Sequence, residues 1–139
     1  MFKYFKKLKN NKGTETIEFV ILFPLMAFLI FGSISYMFAI YSKIVVVDAA
    51  REGARAVALN STTAKAKVDE VIAGMGLKIE LIDSVTVTEN EENGIGYVYV
   101  QVVYKQPSMF PMLPLLIGNP EWDDYFTLSS QAIFKKEKI

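Results

Sequence analysis

The sequence predicts an α+β fold: a long N-terminal helix that is transmembrane first and amphipathic after, a short second helix, and a three-stranded antiparallel sheet packed on the helix. Three observations predict it. Phe19 to Tyr41 runs for twenty-three residues without a charged side chain. Residues Ser42–Leu59 continue the helical pattern without a proline. Three later segments alternate apolar and polar residues with the period of a strand.

Residues 1–13, MFKYFKKLKNNKG, form a basic leader with five lysines and no acid. As a helix, the uncharged run that follows spans roughly 35 Å at about 1.5 Å per residue, enough for a hydrocarbon core of about 30 Å. A secretory signal peptide has an apolar region of only about 7–15 residues, and no small-x-small cleavage site follows this run closely. The run therefore reads as a membrane span. Lysines ahead of it place the N-terminus in the cytoplasm and the rest of the chain outside. Pro24 predicts a local bend, and Gly32, Ser33 and Ser35 a slim patch where another helix can approach.

Beyond the span, Asp48, Arg51, Glu52 and Arg55 share one stripe, while Ala50, Gly53, Ala54, Val57 and Ala58 face largely away from it. The small residues admit a sheet or neighbouring helix at short range. One helix from about Glu15 to Leu59 is expected, ended by Asn60-Ser61-Thr62-Thr63, which also caps a second helix over Ala64–Ala73. Ser84–Glu89 and Ile95–Lys105 are strands joined by a hairpin at Asn93-Gly94, with Val98, Val100, Val102 and Tyr104 on one face of the second. Tyr125–Phe134 is the third, turning Phe126, Leu128, Ala132 and Phe134 toward the core. Between the last two lies an apolar stretch holding four of the five prolines. Met109–Ile117 in that stretch is expected to cover the second face of the sheet, or else to dock a partner.

Composition removes most enzyme classes. Cysteine and histidine are absent, so thiolate nucleophiles, His-based triads and ordinary Zn sites are excluded. From Thr14 onward ten Lys/Arg face fifteen Asp/Glu, a net charge of −5 that leaves no basic surface for nucleic acid. No catalytic residue, metal or cofactor is expected. The acidic groups Glu89, Glu91, Glu92 and Glu121, Asp123, Asp124 lack EF-hand spacing and read as solvated loops. Tyr97, Tyr99 and Tyr104 read as strand packing.

The informative spacing is Gly13, then Thr14-Glu15-Thr16-Ile17, then Glu18-Phe19 and the apolar run. Gly13 lets the backbone lie extended in a protease cleft. Glu18 puts a carboxylate at the hydrocarbon edge, where an unpaired charge costs about 2.5–3.5 kcal/mol, and in the first turn of a helix, where the dipole favours it. The pattern resembles the type IV pilin processing signal: a basic leader ending in Gly, a cut after it, and Glu as the fifth mature residue. That resemblance implies that Glu18 pairs with the new α-ammonium group of a neighbouring subunit. Thr14-Glu15-Thr16 is more polar than the usual mature start, and Glu15 competes with Glu18 for an ammonium partner.

A narrower resemblance rests on Gly13, Glu18-Phe19, Pro24 and Ala49-Ala50-Arg51-Glu52-Gly53-Ala54-Arg55. These residues resemble the TadE-like family of the tight-adherence (Tad/Flp) pilus machinery. The resemblance implies a pilin-like, non-enzymatic minor pilin or pseudopilin with a cleaved leader at 1–13, a transmembrane helix at 14–41 and an extracytoplasmic domain at 42–139. Gly13, Thr14, Glu18 and Phe19 are the expected processing residues, and Glu18, Asp48, Arg51, Glu52, Gly53 and Arg55 the expected assembly residues. The implied partners are a prepilin peptidase, TadF-like and major Flp pilin subunits, inner-membrane platform proteins and membrane lipid. The alternative is an uncleaved single-pass anchor presenting a binding, adhesion or scaffold domain, for which Glu18→Gln is harmless.

Overall fold

The computed structural model describes residues 12–92, 94–110, 118 and 124–136, with side chains from Glu15 onward. The architecture is the expected one. Helix α1 spans Lys12–Ala58, α2 spans Ala64–Gly74, and strands β1 (Ile82–Glu92), β2 (Ile95–Pro107) and β3 (Tyr125–Lys135) follow. The strands form one antiparallel sheet in the order β1-β2-β3. A short 3-10 turn at Ile79–Leu81, not anticipated from the sequence, leads into β1.

Both helices end by the same device. At the end of α1, Asn60 adopts φ 52°, its amide donates to the Val57 carbonyl, and the Ser61 amide donates to that of Ala56. This six-to-one and five-to-two pair closes a Schellman motif around a left-handed residue. Gly76 repeats it at φ 78°, with its own amide donating to Ala73 and that of Leu77 to Ile72. Leu77 then packs against the core that contains Ile72, which sets the direction of the chain toward β1. Thr63 caps α2 as expected, its hydroxyl accepting from the Ala66 amide at 3.4 Å. The hairpin between β1 and β2 pairs Glu92 with Ile95, leaving a two-residue loop in which Gly94 has φ 75° and Asn93 lies outside the described residues.

The core lies between the outer half of α1, α2 and the inner face of the sheet. Val98, Val100, Val102 and Tyr104 of β2 are fully buried, as the alternation predicts. They meet Val45, Val46, Ala49, Ala50 and Ala54 of α1 and Val68 and Ile72 of α2. Alanines along α1 keep the backbone separation short, so a thin helix face and a β-branched strand face interlock. On β3 the predicted inward set is split. Ala132 is buried and Leu128 packs against the core, but Phe134 is 37% exposed, because it lies at the hairpin end opposite Val98, where α1 is finishing.

The helix runs through Pro24 without interruption. Below about Met26 every described side chain of α1 is exposed, and its most apolar eighteen-residue window, with mean hydropathy 2.3, is 0% buried. A helix this apolar and this bare fits a membrane anchor.

Candidate assembly and membrane interface

Helix α1 carries both groups of expected site residues on one rod. Its first turns hold the residues expected to be processed: Gly13 and Thr14 lie in helical backbone at its start, and Glu18 and Phe19 follow, both exposed. The Phe19 ring leans on Phe23, one turn on, with centroids 5.7 Å apart. Among the described residues no cation pairs with Glu18. The leader up to Asn11 lies outside the described residues.

The second stretch is the charged stripe. Arg51 faces Asp48, and Arg55 faces Glu52, each pair at 3.8 Å and each with half or more of the arginine side chain exposed. Contacts this long and wet contribute well under 1 kcal/mol each. The stripe is therefore held loosely and is free to exchange partners. Glu52 and Arg55 also border an open hollow with Lys67 and Glu70 of α2, which pair with each other at 3.0 Å. Gly53 has a different place from its four charged neighbours. It is buried against α2, where an added Cβ would sit 2.9 Å from Val68 Cγ2 and 3.6 Å from Val100 Cγ1. It lets α1, α2 and β2 meet.

The structure also joins residues that the sequence reading treated separately or not at all. Phe28, Gly32, Ser35, Ala39, Ser42, Val46, Ala49, Gly53 and Ala56 form a seam spaced alternately four and three, and all are partly or fully buried. Along it the chain after β2 runs down α1. Ser42 Oγ donates to Gln106 Oε1 at 2.6 Å, Ser35 Oγ accepts from the Met109 amide at 2.8 Å, and Phe110 meets Phe28 edge-on at 5.0 Å between centroids. Lys43 reaches the Ser129 carbonyl of β3, and the Tyr41 hydroxyl donates to the Met75 carbonyl at 2.9 Å. Thus Ser35, expected to face another helix, is covered by the protein's own chain, while Ser33 bonds back to the Leu29 carbonyl. Met109 and Phe110 lie on the helix; residues 111–117 of the same loop are outside the described set. The heptad spacing of Phe28, Ser35 and Ser42 was the available signal, masked by a run in which nearly every other position is also apolar.

On the sheet, Tyr104 is buried as expected, and burial raises its phenol above the usual value, against a smaller opposing effect of a hydrogen bond from the Lys78 backbone. Tyr97 and Tyr99 sit on the other face of β2, partly exposed. Glu89 pairs with Lys136 at 2.8 Å; Glu121 and Asp123 are outside the described residues.

Residues 13–55 match the model of a family described as TadE-like protein. Over that stretch the chain is similar to TadE-like proteins. The match takes in Gly13, Glu18-Phe19, Pro24 and the Ala-Ala-Arg-Glu-Gly-Ala-Arg run, the residues on which the resemblance rests. It supports the coarser expectation, a structural, pilin-like protein related to the Tad pilus. No curated protein and no solved structure matches the chain.

Proposed function

We propose that this chain is a minor pilin or pseudopilin needed to assemble a Tad/Flp-type pilus, freed of residues 1–13 by a prepilin peptidase that cuts after Gly13. The observation that carries the reading is the division of α1. One end bears Gly13 and Glu18 on a bare apolar rod, the other is sunk into the protein's own sheet, and the TadE-like match covers both.

In this reading residues 14–41 span the cytoplasmic membrane and 42–139 form the extracytoplasmic domain. The lysines of the leader hold Gly13 at the cytoplasmic surface. Gly13 lies in helical backbone, so the peptidase has to unwind the helix around it. Glycine costs a helix about 1 kcal/mol relative to alanine, which makes the opening at Gly13 cheaper. Cleavage leaves an α-ammonium on Thr14. Glu18 of one subunit neutralises the freed amine of another as the helices gather, which removes the penalty of an unpaired carboxylate at the hydrocarbon edge. The loosely held Asp48, Arg51, Glu52 and Arg55 stripe then docks TadF-like or major Flp pilin neighbours, and the inner-membrane platform drives their ordering. No catalytic role is assigned to any residue.

The test is co-expression with a Tad-type prepilin peptidase, followed by intact mass or N-terminal sequencing. The mature chain is expected to begin at Thr14, and a bulky residue in place of Gly13 is expected to block the cut. Persistence of the full-length chain beside an active peptidase overturns the proposal.

A further inference from the structure

We propose that Ser108–Phe110, the described part of the chain leaving β2, is a second membrane-contacting element that enters the outer leaflet beside the span and meets lipid hydrocarbon. This rests on the reading of α1 as a membrane anchor, and goes beyond it by placing a non-helical piece of the domain inside the bilayer.

The argument begins with height along α1. The last charge before the apolar run is Glu18, and the next is Lys43, twenty-five residues on. At about 1.5 Å per residue these lie roughly 37 Å apart, against a hydrocarbon thickness of about 30 Å. The slack is about five residues. Wherever the bilayer is set between those two charges, Phe28 and Ser35 remain within the hydrocarbon. Phe28 is about 15 Å above Glu18, and Ser35 about 26 Å. Phe110 packs on Phe28, and the Met109 amide bonds to Ser35. Both therefore stand below the outer boundary.

The backbone there is built for such a place. Irregular chain is tolerated in hydrocarbon only when its polar groups are satisfied within the protein. The Ser108 amide donates to the Asp124 carbonyl at 2.7 Å, the Met109 amide to Ser35 Oγ at 2.8 Å, and the Phe110 amide to Ser108 Oγ at 3.2 Å. The same Ser108 hydroxyl donates to the Phe110 carbonyl at 2.8 Å. Three consecutive backbone N–H groups, and the Phe110 carbonyl, are thus satisfied without water. The side chains suit lipid too: Met109 is 60% exposed, and its surroundings on α1 are the uncharged span. The sequence stays free of charge from Gln106 to Pro120. Charged and polar partners return where the boundary is expected, with Lys43 at Ser129 and Tyr41 at the Met75 carbonyl. Tyrosine at that height is the usual interfacial anchor.

The test uses the full chain in liposomes whose acyl chains carry bromine, a short-range fluorescence quencher. The sole tryptophan, Trp122, is first replaced by Phe, and single tryptophans are then introduced as Met109→Trp, Phe31→Trp in the span and Tyr99→Trp on the far face of the sheet. Met109→Trp is expected to be quenched at least half as strongly as Phe31→Trp, with Tyr99→Trp unaffected. If Met109→Trp is as unquenched as Tyr99→Trp while Phe31→Trp is quenched, the proposal is overturned and the anchor stands. If Phe31→Trp is also unquenched, the anchor reading falls and takes the proposal with it. Because the chain has no cysteine, a milder pair of variants gives a second readout: Met109→Cys is expected to react with a water-soluble maleimide at least tenfold more slowly than Thr88→Cys. Equal rates overturn the proposal. So does protection that appears only as the protein-to-lipid ratio rises, which would make another subunit, and not lipid, the occupant.

Discussion

Replacing Gly53 with alanine tests how closely α1, α2 and β2 approach one another. On helix propensity alone the change should stabilise α1 by about 1 kcal/mol. The structure sets a larger effect against it. The new methyl would stand 2.9 Å from Val68 Cγ2, well inside van der Waals contact, and 3.4 Å from the Ala64 carbonyl oxygen. Val68 is fully buried and β-branched, so rotating its side chain out of the way costs nearly as much as the clash. Overpacking of this kind typically costs about 1–3 kcal/mol. The net expectation is a destabilisation of up to about 2 kcal/mol, with α2 prised away from α1. A double-mutant cycle isolates the cause. In a Val68→Ala background the space is vacated, and Gly53→Ala should there become stabilising by about 1 kcal/mol, giving a coupling of about 1–3 kcal/mol between the sites. The assay is guanidinium unfolding of the full chain in mild detergent, followed by near-ultraviolet circular dichroism of the domain's tyrosines. If Gly53→Ala stabilises equally in both backgrounds, the close approach of the helices is wrong.

Three further outcomes follow from the same geometry. Tyr104 has its phenol held above its ordinary value of 10.0 in the folded chain, so the unfolded chain loses the proton first as pH rises. Stability contributed by the neutral phenol is intact below about pH 10 and is lost above it, and Tyr104→Phe should flatten that alkaline limb in melts taken across the range. Ser42→Val removes the 2.6 Å bond to Gln106 and strands a partly buried acceptor, which should cost about 1–3 kcal/mol in the same unfolding assay. Ser42→Val with Gln106→Leu should recover much of that loss. Arg51→Ala and Arg55→Ala should each shift stability by less than about 1 kcal/mol, because their ion pairs are long and exposed. A large loss of pilus assembly with unchanged melting would then mark the stripe as a docking surface, whereas unaltered assembly would remove it from that role.

Most elements were legible from local chemistry. The long apolar helix needed only its length without charge, and α2 needed Thr63 at one end and a glycine at the other. Strand β2 needed its valine alternation. The turn at Ile79–Leu81 was not legible because three residues carry no period. Phe134 was placed inward by parity, which was correct for its face, but its exposure depends on where α1 ends above it. Gly53 shows the same gap within the candidate site. The sequence offered it both as a slim residue admitting a sheet or helix and as an assembly residue beside Glu52 and Arg55, and packing against Val68 shows which element approaches it.

The sequence alone determined what each segment is: its periodicity, the place of its charges and its turn residues fix helix, strand and apolar run, since these depend on neighbours a few residues apart. It also carried the Gly13–Glu18 spacing and the TadE-like stretch. Only the tertiary structure decided which face of α1 the domain occupies, and how far down the span the chain after β2 descends. In a run where almost every side chain is apolar, hydrophobicity cannot choose a face. Ser35 and Ser42 do so, by accepting or donating single hydrogen bonds to residues more than sixty positions away.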